Sequence, residues 1–257
     1  MTLTIVRIYH DLLGTYGDQG NAEVLCHRAR ARGIEVELVE VTPGEPIPRS
    51  ADIYLLGGGE DGPQLAALEM LRTDGGLKYA AAGGATVFAV CAGFQIIGES
   101  LPGSGGETIS GLGLVDAHTH YPKSKRSVGE LVIAPTRGGL PILTGFENHQ
   151  GFTKLGSEMP ALGRTLSGVG NGFYATEGVW HGNVIGTYLH GPALARNPEL
   201  ADSVLQCAAG PIAKFDDEFA TAFAQERRQT LWSHEKTHPI VLGVGFPRGR
   251  ASGLQFP

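Results

Sequence analysis

Cysteine is scarce in this chain. Three thiols, Cys26, Cys91 and Cys207, are spread over 257 residues; an odd number without close spacing fits a reduced, cytoplasmic setting better than a disulfide framework. Positive charge is also in deficit. Twenty Lys and Arg against 26 Asp and Glu give a net charge of −6, so neither nucleic acid nor an anionic membrane is the expected partner, because both reward clustered basic residues. The one basic run, Lys123-Ser124-Lys125-Arg126, is short. No apolar run approaches the ~20 residues of a membrane span. Met1 to Arg7 enters directly into a strand pattern, without the charged start and long apolar stretch of a secretion signal. A G-x-x-x-x-G-K-[ST] phosphate loop is missing too, and neither a cofactor nor a metal is expected in this chain.

Glycine, by contrast, is abundant at 39 residues, and several glycines stand just past strand-like runs, where backbone must turn sharply or approach a ligand closely. Through the first hundred residues, strand-length apolar runs at 3–9, 35–41, 52–56 and 86–90 alternate with helix-length segments, which predicts a parallel, doubly wound α/β sheet. Residues 21–32 place Ala22, Leu25, Cys26 and Ala29 at helical intervals, with Gly33 as a stop, so Cys26 is expected in the core. From 111 to 188 the pattern changes to short β-type runs, including 131–134, 173–176 and 178–188, with His181-Gly182-Asn183 as a hairpin turn. Two closing helices follow at 198–209, with Asn197 as its cap, and at 216–232. Residues 235–257 carry three Pro and four Gly and read as an extended or disordered tail.

The chemistry points to Cys91. Thr86-Val87-Phe88-Ala89-Val90 is an apolar β-type run that stops at one thiol, and Ala92-Gly93-Phe94-Gln95 opens a helix-like segment. That is the shape of a nucleophile elbow, in which a sharp strand-to-helix turn exposes the nucleophile and leaves the next N–H able to bind an oxyanion. Ala89 stands where such elbows usually carry glycine. A thiol needs a base, and His190, after Val184 to Leu189 and before Gly191-Pro192, falls at a strand end. His149 in Glu147-Asn148-His149-Gln150-Gly151 is the rival base. The run Gly57-Gly58-Gly59 ends another strand, so the N–H of Gly58 or Gly59 is expected to converge with that of Ala92 as an oxyanion hole. Gln95, one helical turn past the nucleophile, is expected to face the substrate. Asp18 and Glu60 lie near strand ends, where they would orient a histidine or cap a loop.

Taken together these segments resemble the class I glutamine amidotransferases, in their cobyric acid synthase-like (CobB/CobQ) branch, over roughly residues 3–209. Tyr9-His10-Asp11-Leu12-Leu13-Gly14-Thr15-Tyr16-Gly17-Asp18-Gln19-Gly20-Asn21, Gly145 to Gly151 and Gly186 to Pro192 are similar to a subgroup of glutaminase subunits that work with a separate MurT-like ligase on peptidoglycan precursors. The resemblance implies a flavodoxin-like sandwich over 1–234. It implies that Cys91 attacks the side-chain amide of L-glutamine, that His190 relays the proton to departing ammonia, and that Arg126 grips the substrate carboxylate, a task suited to a two-pronged guanidinium. It also implies a heterodimer whose partner holds ATP and Mg and amidates the D-glutamate α-carboxyl of lipid II. Many members of the class carry a glutamate two residues after the histidine. Here that position is Pro192, so an orienting acid comes from elsewhere in this chain, from a partner subunit, or not at all. Corrin amidation of the cobyric acid type, an esterase-like thiol hydrolase and a noncatalytic binding subunit remain as alternatives.

Overall fold

The computed structural model describes residues 2–123 and 126–237. In chain order its first elements are β1 (Thr2–Ile8), α1 (Gly20–Arg30), β2 (Glu35–Val41), β3 (Ile53–Leu56), α2 (Asp61–Asp74), α3 (Gly76–Ala82), β4 (Thr86–Val90) and α4 (Ala92–Ile97). Then come β5 (Ser100–Pro102), β6 (Thr108–Ser110), β7 (Ala117–His120), β8 (Ser127–Pro135), β9 (Leu143–His149), β10 (Phe152–Leu155), β11 (Gly163–Ser167) and β12 (Thr176–Glu177). The chain closes through β13 (Val179–His181), β14 (Val184–Thr187), α5 (Ala193–Arg196), α6 (Pro198–Ala209) and α7 (Glu218–Thr237).

A six-stranded sheet in the order β13-β14-β4-β3-β1-β2 forms the centre. Its strands are parallel except for β13, which turns back on β14 through the hairpin at Gly182. Helices shield both faces of β3 and β4, so every residue of these strands is buried and the sequence there is continuously apolar rather than alternating. At the edge, β2 alternates exposed and half-buried positions. The doubly wound parallel sheet expected from the first hundred residues is the one observed, and Cys26 lies in the core.

Residues 100–177 build two smaller four-stranded sheets, ordered β10-β7-β5-β6 and β12-β11-β8-β9. β9 reaches the main sheet at one point, where Phe146 and His190 exchange both backbone hydrogen bonds, at 2.8 and 3.0 Å.

Three local expectations need correction. The strand expected over 173–176 forms only at its end, in β12. Gly170 and Gly172 carry positive φ and turn the chain, leaving Phe173 in the turn against the Phe152 ring. Asn197 precedes α6 without capping it. Its amide bridges instead to the backbone of Thr144, accepting from N and donating to O, and donates to Ala193 O four residues upstream; the long-range Thr144 pairing turns the side chain away from the helix start. Finally, α7 carries on to Thr237, past the boundary at 234. The expected tail beyond it lies outside the described residues. Among the described residues no helix is long and apolar enough to cross a membrane.

Candidate active site

Four parallel strands deliver the site, each by the loop at its carboxyl end, where open α/β sheets bind ligands. β4 ends at Cys91, whose φ of 52° and ψ of −105° are a conformation L-residues rarely adopt. Such a residue stores on the order of 1–3 kcal/mol of backbone strain. The strain is held by flanking contacts: Cys91 N donates to Thr187 O at 2.8 Å, and Gly93 N donates to Gly57 O at 3.1 Å. Gly93 has no room for a side chain, since a Cβ would lie 2.7 Å from that of Leu56. Residue 91 is therefore a true elbow, and Ala89 is accommodated as a fully buried strand residue before it.

β14 ends in Thr187, and His190 follows three residues on, fixed by the Phe146 bridge. Its ring is almost wholly buried. Nδ1 lies 2.9 Å from Asp18 Oδ2, while Nε2, buried and outside ordinary hydrogen-bond geometry, has the Cys91 thiol as its neighbour. Burial works against a charge on this ring, but the hydrogen bond to the Asp18 carboxylate, together with the adjacent Cys91, outweighs it and pushes the His190 pKa up to about 10. Asp18 thus supplies the orienting acid that Pro192 cannot.

The loop carrying Asp18 starts at Tyr9, which is also in the left-handed region with φ 47°, and whose carbonyl collects the N–H groups of Leu12 and Leu13. Its far end is pinned to the histidine turn. Gly20 lies so close to Pro192 that a Cβ would approach the proline ring to 2.6 Å, and Asn21 Oδ1 accepts Leu194 N at 2.9 Å. Asp18 and His190 are therefore tied together at both ends of the loop although 172 residues separate them.

The glycine run after β3 serves a different purpose from the one expected at its middle position. Gly58 N donates to Asp18 Oδ2 at 2.9 Å, so that amide is engaged by the acid. A Cβ on Gly58 would sit 2.6 Å from His190 Cε1; the glycine lets the imidazole lie directly on the backbone. Gly59 and Ala92 remain as the expected oxyanion donors.

The other expected residues divide. Gln95 is buried beneath the elbow. Its Oε1 accepts from Gln64 at 2.8 Å, its Nε2 donates to Tyr188 OH at 3.2 Å, and Gln64 also holds Ala92 O. Through these bonds the amide braces α4. Arg126 lies exposed at the mouth, donating from Nε to Asn148 Oδ1 and from Nη2 to Asn148 O and Tyr16 OH. That same Asn148 carbonyl is 4.0 Å from Cys91 Sγ, which brings Arg126 to the nucleophile. His149, the rival base, is sealed: Nδ1 faces Gly151 O at 2.9 Å, Nε2 faces Glu147 Oε2 at 3.2 Å, and the ring stacks on Tyr188 at 3.9 Å.

Two mouth residues went unassigned from sequence. Tyr16 lays its ring 4.7 Å from that of His190, and Tyr121 OH donates to Asp61 Oδ1 at 2.8 Å. Burial chiefly, and then Asp61, push the Tyr121 hydroxyl well above the usual phenol range, so it stays a donor. Only Tyr16 had a signal, its place two residues before Asp18. Among the described residues no cluster of His, Cys, Asp and Glu could hold a metal ion.

Residues 4–198 match the CobB/CobQ-like glutamine amidotransferase domain. The chain is 37% identical over 209 residues to the lipid II isoglutaminyl synthase subunit GatD of Staphylococcus aureus, covering 80% of this chain and 84% of that one. It is 36% identical to the cobyric acid synthase of Desulforudis audaxviator over 145 residues, which are 54% of this chain and 28% of that enzyme. Its fold is shared with a solved glutamine amidotransferase at a TM-score of 0.51 and 20% identity, covering 79% of this chain and 98% of that one. With a strained thiol, a buried histidine and an acid on the rim of one parallel sheet, and this match along most of its length, the chain belongs to the CobB/CobQ-like glutamine amidotransferase family.

Proposed function

We propose that this protein is the glutaminase subunit of a lipid II-amidating enzyme. The observation that carries the chemistry is the alignment of Asp18, His190 and Cys91, in which an imidazole held by a buried carboxylate lies beside a thiol on a strained turn. A protonated His190 stabilises the thiolate of Cys91, which attacks the side-chain carbonyl carbon of L-glutamine. The N–H groups of Gly59 and Ala92 receive the oxyanion, at roughly 3 kcal/mol per donor. His190 then gives its proton to the departing nitrogen, and ammonia leaves a glutamyl thioester on Cys91. Water attacks the thioester with His190 as base, which releases glutamate and restores the thiol. Arg126 holds the α-carboxylate of glutamine in this scheme.

Ammonia is mostly ammonium at neutral pH and is then no nucleophile, so a site that liberates it serves a synthetic reaction only when a second active site lies close by. The likeness to GatD supports a separate MurT-like ligase as that site. The ligase binds ATP and Mg, activates the α-carboxyl of D-glutamate in lipid II and receives the ammonia in a cytoplasmic heterodimer. The deciding experiment measures ammonia release from glutamine, with and without the co-purified ligase, for wild type and Cys91→Ala. Loss of release in the variant, with wild-type release raised by the ligase, is the expected result. Undiminished hydrolysis in Cys91→Ala overturns the mechanism.

A further inference from the structure

Two opposite charges meet at the mouth of the Cys91 site through one hydroxyl. Tyr16 OH donates to Glu60 Oε1 at 3.0 Å and accepts from Arg126 Nη2 at 3.1 Å. Glu60 directly follows the glycine run and stands at the N-cap position of α2, yet its side chain makes no cap hydrogen bond. Its carboxylate reaches the Tyr16 hydroxyl rather than the first amides of the helix. Arg126 is fixed opposite by Asn148, whose carbonyl is 4.0 Å from Cys91 Sγ. The neighbouring acid, Asp61, is engaged by Tyr121 and does not share this hydroxyl. The guanidinium end of this bridge comes near the thiol through Asn148 O, and the carboxylate stands at its other end, across the Tyr16 hydroxyl. A free amino acid carries the matching pair, an ammonium and a carboxylate on a single carbon.

We propose that Glu60 receives the α-ammonium group of the substrate, opposite Arg126 on the α-carboxylate, and that this pairing selects free glutamine over glutamine whose amino group is acylated. Tyr16 OH holds both charges in place before substrate enters. The inference rests on the glutaminase reading above and adds a substrate contact to it. A site built around a charged hydrogen-bonding group discriminates strongly against analogues that leave the group unpaired.

The test is steady-state ammonia release by the assembled enzyme, with L-glutamine and N-acetyl-L-glutamine as substrates, for wild type, Glu60→Gln and Glu60→Asp. Wild type is expected to prefer free glutamine. In Glu60→Gln the KM for glutamine should rise about tenfold, the change expected for one hydrogen bond to a charged group, with kcat affected far less. The preference over N-acetylglutamine should fall by a similar factor, and Glu60→Asp should recover part of it. A purely structural role for Glu60 would lower the melting temperature and kcat without changing the preference. An unchanged KM and preference in Glu60→Gln, or a wild type indifferent to acylation, overturns the proposal while leaving the glutaminase reading intact. A wild type that releases no ammonia from either substrate overturns that reading instead.

Discussion

Asp18 Oδ2 lies 2.9 Å from His190 Nδ1 and 2.9 Å from the backbone nitrogen of Gly58, so one buried oxygen ties together the loop after β1, the glycine run after β3 and the histidine after β14. Asp18→Asn keeps the shape and removes the charge. His190 then loses a principal partner for its protonated form, and its pKa falls. We expect kcat/KM for glutamine hydrolysis to drop roughly 10²–10⁴-fold, the range for loss of acid–base assistance. The alkaline limb of the pH–rate profile should move to lower pH. A profile with an unmoved alkaline limb would show that Asp18 does not act through the imidazole.

The elbow can be tested apart from its chemistry. Cys91→Ala and Cys91→Gly both remove the thiol and both should abolish ammonia release. Only glycine adopts φ 52° at low cost, so Cys91→Gly is expected to be about 1 kcal/mol more stable than Cys91→Ala. Denaturant unfolding of the two variants measures the difference. Equal stability would mean that the turn carries no strain.

Gly58→Ala addresses the packing of the base. The new methyl would meet His190 Cε1 at 2.6 Å, and the ring, caught between Tyr16 and the Phe146 bridge, has to shift. A misplacement of about 1 Å at a reacting group costs on the order of 10²-fold in rate. We therefore expect kcat to fall by about that factor while bound glutamine, read by competition against a labelled analogue in the Cys91→Ala background, is retained. A Gly58→Ala enzyme with full kcat would place the imidazole elsewhere.

The sheet and the nucleophile were legible in sequence because both are written locally. Continuous apolar runs mark β3 and β4, and a thiol flanked by small residues marks the turn between β4 and α4. The long-range polar pairings were not. Asp18 reaches His190 across 172 residues, and no spacing rule connects them. Gln95 pairs with Gln64 and Tyr188 across long sequence gaps as well, and Asn197 stands where a local rule assigns it a helix cap, whereas tertiary packing supplies Thr144. Gly58 shows the same override. Its amide is a plausible oxyanion donor until the loop after β1 brings a carboxylate onto it.

Glu177 offers a test of the buried polar region behind the site. Its Oε1 accepts Thr187 Oγ1 at 3.0 Å and Tyr188 N at 2.6 Å, so it holds the strand end that leads to His190. Oε2 is buried with no partner. Burial raises its pKa to about 8 against these two hydrogen bonds, with the charge of Glu147 adding to the rise. The folded protein thus keeps a proton that the unfolded chain, with an ordinary carboxyl near 4.5, gives up. Stability should fall as pH climbs from about 4.5 to about 8 and level off above, because the folded state binds more protons across that interval. His190 contributes a separate decline between its ordinary value of 6.5 and about 10, since its favourable charge is lost as pH rises through the folded value. Glu177→Gln removes the first decline and leaves the second. Urea unfolding at pH 5, 7 and 9 should therefore show a stability gap between variant and wild type that shifts in the variant's favour up to about pH 8. A gap that stays constant across that range, or shifts toward wild type, would mean that Glu177 is already ionised in the folded protein.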